Sequence, residues 1–534
     1  MQITEIVNAL NTQYFDRNVV FTADKPADGE YSTVYVGKTS SFDAYGNFVG
    51  LAETNDIGNQ NKADNAFVML DNTASTTSII STISHEVEHL LGTGTHGGDG
   101  LSAYAYEKYV LAGESSSYVS VGYGDRLWVY GSVDYTSIIS GGEMSVSSGG
   151  TADHTNLNVA GLMYVVGGYA NSTSIAGQAQ LHVSRGGLAS NTYVNYGEMH
   201  IGSGGTGKDV IVNNLSGGIL YVHSRGYAQD ITVSRGTVLV DSGSATNISL
   251  NDRGALLVST ESSFVSNVVV NDGGDVGLDG SATGITINSG GCARFYGKVA
   301  NAELNGGGLL YINGGTNTNI NVNAGGVMRV SAGMSDDTNV NNGGCVHVFK
   351  GVVLNTDINA GGVVSNYGGD VLSPSVSAGG LLYNFGSGAV IDSLDVKPGG
   401  TVIVGSESKL TGLWFVSQGA NVYIENDAII DFDVSAYSPD FYVPLSDYTL
   451  LQNANNAHFT ISVYEPTEKD VKPNYGTYKL ANNAYSFSTY ATVVNVATDK
   501  ETELGVITVD NPLTTSKAKY VLSMEDGTLT FTIQ

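Results

Sequence analysis

The chain has 534 residues, with 23 Lys and Arg against 51 Asp and Glu, a formal net charge of −28. A polyanion of this size is repelled by nucleic acid and by anionic lipid, so neither is an expected partner. Its 70 glycines against 8 prolines, with no Gly-X-Y period, exclude collagen, and 41% hydrophobic residues with 31 tyrosines exclude plain disorder.

No apolar run approaches the roughly 18 residues that a membrane-spanning helix requires. The opening MQITEIVNALNTQYFDRNVVF has no basic start followed by an apolar core, so no secretory signal peptide is read there. The acidic, Gly-rich, Cys-poor composition suits an extracellular or cell-surface location. Three domains are expected: 1–125, 126–436 and 437–534.

Residues 1–125 read as an α+β domain. Residues 2–15 form an amphipathic helix pattern with Ile3, Ile6, Val7 and Leu10 on one face. STVYVGKTS, GNFVGLAET and NAFVMLD read as strands. Residues 75–91, STTSIISTISHEVEHLL, read as a second helix with a Ser/Thr start and Gly92 as its stop. Ile79, Ile80, Ile83, Val87, Leu90 and Leu91 supply its apolar positions.

That helix carries His85-Glu86-Val87-Glu88-His89. Residues i and i+4 share a helix face, so His85 and His89 are spaced to offer two imidazole nitrogens to one metal ion. Glu86 beside them is placed to take a proton from water on that metal, whose pKa zinc lowers towards neutrality. Three of the nine histidines, His85, His89 and His96, fall within twelve residues. A bare HExxH also arises by chance on solvated surface helices.

The run HEVEHLLGTGTH resembles the metzincin zinc peptidases, whose signature is HExxHxxGxxH. His85, Glu86, His89 and Gly92 match. The third histidine, His96, comes one residue late, with Thr95 at the family position; one residue adds at most about 3.5 Å of reach. The resemblance implies a zinc ion held by His85, His89 and His96, with Glu86 as the catalytic base. Asp99 is an alternative third ligand. No Met-turn is found, since Met144 is the first Met after the motif. Tyr104, Tyr106 and Tyr109 are candidate phenol donors.

From about 126 to 435 a repeat dominates. Clear copies are VNDGG (270–274), INSGG (287–291), LNGGG (304–308) and VNAGG (322–326). The anchors Val270, Ile287, Leu304, Val322, Val340, Ile358, Val376 and Leu394 are 17 or 18 residues apart. Earlier anchors, at Ile138, Leu157, Ile175, Val194, Val212, Val233 and Leu250, are less regular. This period fits one coil of a β-solenoid, with β-branched strands and Gly/Asn corners. Asn271, Asn288, Asn305, Asn323, Asn341 and Asn359 then stack in register, and their amides are expected to bond from coil to coil.

Cys292 and Cys345 fall three coils apart, roughly 14 Å at one strand spacing per coil. A disulfide needs Cα atoms within about 7 Å, so two free thiols are expected. GGDG at 97–100 reads as a loop. Asp272, Asp275 and Asp279 read as solvated corner residues rather than calcium ligands. The solenoid histidines His182, His200, His223 and His347 read as coil-facing polar residues rather than metal ligands.

These units resemble the AIDA-type repeats of bacterial autotransporter adhesins over about 60% of the chain, which implies architecture more than activity. Such adhesins end in a membrane β-barrel, for which 437–534 is too short. That last segment alternates in period two, and EDGTLTFTIQ signals a hairpin turning at Asp-Gly. It reads as a small β domain that caps the last coil, whose open edge would otherwise be adhesive.

The fold expected is mainly β: a long right-handed parallel β-helix with an N-terminal α+β metallopeptidase-like domain and a small C-terminal β cap. The function expected is a secreted or surface-associated zinc endopeptidase carried on this stalk. It would act as a monomer on a protein substrate such as a host surface or matrix glycoprotein. The alternative is an adhesin or structural surface protein with an inactive metallopeptidase-like domain.

Overall fold

The computed structural model describes residues 2–14, 19–37, 50–52, 62–70, 76–91, 107–139, 141–213, 217–439, 444–466, 473–498 and 500–534. Strand makes up 52% of the chain, so the protein is mainly β and built on a β-solenoid. It divides into two compact units, 1–268 and 269–534. Among the described residues no helix is long and apolar enough to cross a membrane, which says nothing of a β-barrel.

The first unit opens with α1 (Gln2–Gln13), β1 (Thr33–Gly37), β2 (Gly50–Ala52), β3 (Asn65–Met69) and α2 (Thr76–Leu90). β3 is central, parallel to β1 and antiparallel to β2. Leu10 of α1, Tyr14 just after it, Val68 of β3, and Ile80, Ile83 and Val87 of α2 form one buried cluster. Ile3, expected on the same face, is 65% exposed. It lies nearly a turn ahead of Ile6, which packs against that cluster. Tyr14 replaces it at the other end of α1, where its hydroxyl donates to the Ser84 carbonyl at 2.9 Å.

Parallel coils follow. Glu107–Val110 pairs with Arg126–Val129, Arg126–Val129 with Glu143–Val146, and Glu143–Val146 with Leu162–Val166. Among the described residues stacking thus begins at Glu107, ahead of residue 126. On the facing side Val121, Ile138, Leu157, Ile175, Val194, Val212, Val233 and Leu250 run in one continuous register. All are buried. Burying each such side chain stabilises the stack by about 1.5–3 kcal/mol.

The second unit repeats the pattern with greater regularity. Ile287, Leu304, Val322, Val340, Ile358 and Val376 occupy one inward column. The next member is Val396 and not Leu394. The corner before it, between Leu381–Asn384 and Val390–Asp392, is longer than the corner of the preceding coil, and the register moves on by two residues. Leu394 remains buried beside the column.

The Gly-Gly corner uses its two glycines differently. Gly343 sits at φ +77°, in the left-handed region, whereas a Cβ on Gly344 would run into the Val322 carbonyl oxygen of the coil below. The first glycine is needed for its backbone angle and the second for close approach.

The asparagine ladder forms as expected. Asn288, Asn305, Asn323, Asn341 and Asn359 each donate from Nδ2 to the Oδ1 of the Asn one coil earlier, at 2.9, 3.3, 3.0, 2.9 and 2.9 Å. Cys292 and Cys345 are free thiols, separated in register by Leu309 and Val327.

Parallel pairing continues past residue 436, through Ile429–Asp433, His458–Val463 and Ala491–Asn495. It ends where Thr502–Ile507 adds antiparallel. A separate antiparallel sheet contains the hairpin Lys519–Glu525 and Thr528–Ile533, which turns at Asp526-Gly527.

Candidate metal centre on the second helix

α2 presents His85 and His89 on one side, with ring centroids 5.1 Å apart and the rings edge to face. His89 and Glu86 are buried, at 7% and 2% exposure. Burial pushes the Glu86 carboxyl from 4.5 up to about 8. Its Oε2 has no hydrogen-bond partner among the described residues. A buried carboxyl without a partner is costly, and such groups mark sites of strain, catalysis or an additional bound species.

The His85 side of α2 faces the early coils of the solenoid. His85 Nδ1 lies 3.8 Å from Asp125 Oδ2. That same carboxylate oxygen accepts from the Gly122 backbone N–H at 3.1 Å. A Cβ on Gly122 would stand 3.2 Å from His85 Cε1, so the coil approaches the imidazole closely. Higher on the helix, Ser81 Oγ donates to Ser120 Oγ at 3.1 Å. Tyr118 packs against the α1–α2 core.

His85, His89 and Glu86 are therefore brought together. His96, Asp99, the GGDG loop, Tyr104 and Tyr106 lie outside the described residues. Tyr109 is half-exposed and donates its hydroxyl to Glu107 Oε2 at 2.8 Å. Asp125, which the sequence did not single out, is the carboxylate that the coil turns towards His85. It lies 40 residues downstream in the chain (125 − 85), and only the seating of α2 on the coil joins them.

The donor set of two imidazoles and a partnerless buried carboxyl oxygen fits a zinc ion in its chemistry. His85 and His89 would hold such an ion, and zinc would supply Lewis-acid activation of water there. Glu86 is the group beside it that can hold a proton.

A second group was not read from the sequence. Asp134, Asp153 and His154 bring ligand atoms within 4.8 Å of one another. His154 Nδ1 lies 3.0 Å from Asp134 Oδ1 and 3.5 Å from Asp153 Oδ1. The Asn171 amide donates to Asp153 Oδ1 at 2.9 Å. The signal was present: Asp134 and Asp153 are register partners in adjacent coils. All three side chains are well exposed, and hydrogen bonds along the ladder already account for their arrangement. Asp275, considered for calcium, pairs instead with Arg294 of the next coil.

The fold defines a mainly β protein organised on a parallel β-solenoid. No protein-family model matches the chain, and no curated protein matches it. Among solved structures, the TibC-catalysed hyper-glycosylated TibA55-350 fragment is similar over 60% of this chain and 98% of its own, at 27% identity and a TM-score of 0.31.

Proposed function

We propose that the chain is an adhesive or structural surface protein in which the β-solenoid is the working part and the N-terminal helices and sheet close over its early coils. The seat of His85 against Gly122 and Asp125 carries this reading. An endopeptidase needs an extended substrate beside the open position of its metal. Here the imidazole that would flank that position is covered by a coil. Covering an early coil also protects an edge that would otherwise pair with other chains.

The walls of the solenoid support an adhesive role. Tyr169, Tyr193 and Tyr227 in the first unit, and Tyr296, Phe349 and Tyr367 in the second, stand exposed. Aromatic rings of this kind supply contact area on a partner such as a surface glycoprotein. The resemblance of the repeats to those of autotransporter adhesins points the same way, and to a surface or extracellular location.

A second reading, a zinc hydrolase, is favoured by the partnerless Glu86 oxygen beside His85 and His89. In it His85 and His89, with His96 as the third ligand expected from the sequence, would hold the ion, and Glu86 would take a proton from water and return it to the leaving amine.

One experiment separates the two. The full chain is tested for binding to immobilised matrix glycoprotein and for digestion of casein and gelatin, with and without a zinc chelator. Chelator-insensitive binding without digestion supports the adhesin. Zinc-dependent digestion that Glu86→Ala abolishes, with zinc content retained, overturns it in favour of the hydrolase.

A further inference from the structure

The first unit gathers three imidazoles on one wall. His182 and His200 are register partners in adjacent coils, and Tyr221 follows in the next. The His182 and His200 rings are 4.7 Å apart at their centroids and within 11° of parallel. His223, two residues beyond Tyr221, brings its Nε2 to 3.1 Å from His200 Nδ1. The outer nitrogen of His200, Nε2, lies 3.0 Å from Glu198 Oε2. The Gln180 amide donates to that same carboxylate oxygen at 2.8 Å.

We infer that His200 and His223 form a binding site for a divalent transition-metal ion of the imidazole-preferring class, separate from the helix motif. The contacts around His200 lead there. Glu198 accepts the Nε2–H of His200, which leaves Nδ1 with its lone pair facing His223. A carboxylate behind a histidine is the arrangement that orients a metal-bound imidazole and raises its basicity. Gln180 fixes the carboxylate in turn, so the supporting shell is already assembled.

The spacing is right as well. Two nitrogens each about 2.0–2.1 Å from one ion, at an angle near 100°, stand roughly 3.1–3.2 Å apart. The His200 and His223 rings are coplanar within 4°, with centroids 5.4 Å apart. They meet edge to edge, and binding turns each ring about its Cβ–Cγ bond to aim both lone pairs at the ion. Without metal, the Nε2–H of neutral His223 donates to His200 Nδ1. The metal takes that proton's position, and the proton moves through solvent to Nδ1 of His223, so both imidazoles stay neutral. Solvent fills the remaining coordination positions, because the wall is open on that side. The net charge of −28 raises the local concentration of cations around the chain.

The test uses the full chain with His85→Ala and His89→Ala, which removes the helix motif. Cu2+ is followed by its nitrogen couplings in electron paramagnetic resonance, and Zn2+ by calorimetry. The expected result is a saturable ion with two imidazole nitrogens in that background. Adding His223→Gln should weaken it at least about tenfold, because Gln keeps a hydrogen bond to His200 but offers no imidazole. Glu198→Gln should weaken it about 10–100-fold, the usual cost of losing such a supporting carboxylate. Unchanged melting temperatures in metal-free buffer separate these effects from misfolding. Binding left unaltered by His223→Gln, or absent from the His85→Ala, His89→Ala chain, overturns the site and leaves a proton-bridged histidine pair only.

Discussion

His85 Nδ1 and Asp125 Oδ2 stand 3.8 Å apart, and this pair ties the HExxH helix to an early coil of the solenoid. The carboxylate also holds the Gly122 N–H of that coil. One side chain therefore fixes the corner on which the imidazole rests.

Asp125→Ala should cost about 1–3 kcal/mol, because it strands a buried backbone N–H without an acceptor. Asp125→Asn keeps an acceptor oxygen for Gly122 and should melt close to the parent chain. Gly122→Ala leaves Asp125 in place but forces the His85 ring back by a few tenths of an ångström. It should lower the zinc affinity of α2 with little change in melting temperature. Thermal melts and zinc titrations of the three variants check this, and equal melting of Asp125→Ala and Asp125→Asn would count against it.

Glu86 gives a pH-dependent prediction. Its folded-state pKa is raised from 4.5 to about 8 by burial. Between those values the folded chain binds more protons than the unfolded chain, so the contribution of Glu86 to stability falls as pH rises through the window. Glu86→Gln removes that dependence. In chelator, the variant should melt higher than the parent at pH 8, and the gap should close towards pH 5. A gap that is constant with pH would mean that Glu86 is already charged in the fold.

The asparagine ladder offers a test of stacking energy. Asn323 donates to Asn305 at 3.0 Å and accepts from Asn341 at 2.9 Å. Asn323→Ala removes both bonds and should destabilise by about 1–3 kcal/mol at roughly 1 kcal/mol for each net bond. Asn323→Asp keeps the acceptor for Asn341 but turns a carboxylate oxygen towards Asn305 Oδ1. It should be destabilising at neutral pH and partly recover in acid, where the carboxyl can donate. Denaturant midpoints at two pH values measure both effects.

The ladder was legible because a solenoid turns sequence period into spatial register. Residues 17 or 18 apart that share a residue type meet side by side, so the period alone places Asn305, Asn323 and Asn341 next to one another. The same arithmetic failed at Leu394, where a longer corner moves Val396 into the column. It also applied unnoticed to His182 and His200, 18 residues apart (200 − 182) and therefore stacked. His223 escapes simple spacing because it reaches back diagonally from beyond Tyr221. The HExxH helix was legible as a helix, from its apolar positions and its Ser/Thr start. Its docking was not, since the meeting of His85 with Gly122 and Asp125 depends on how two independently formed elements pack, and no local pattern encodes that.

The stacked histidines make the first unit sensitive to acid. Burial, then the nearby His200 and His223, lower His182 from 6.5 to about 4, with Glu198 opposing. Burial and His200 also lower His223, with Asp241 opposing. For both groups the unfolded chain binds protons that the folded chain excludes. Their stability contribution is therefore present above about pH 6.5, the ordinary histidine value, and is lost as pH falls from there towards 4. Glu198 beside His200 and Asp241 near His223 soften the loss but do not reverse it. In chelator, backbone amides of Gln180–Ser184, Glu198–Ile201 and Ile219–Val222 should lose hydrogen-exchange protection between pH 7 and pH 4.5. The strands of the second unit Leu309–Ile312 and Val327–Val330, which carry no histidine, should keep theirs once the intrinsic pH dependence of exchange is corrected. His182→Gln should restore part of the lost protection, since it removes the imidazole with the most depressed pKa while keeping a polar side chain beside Gln180. Equal loss in both units would assign the acid response to the carboxylates of the whole chain instead of to this column.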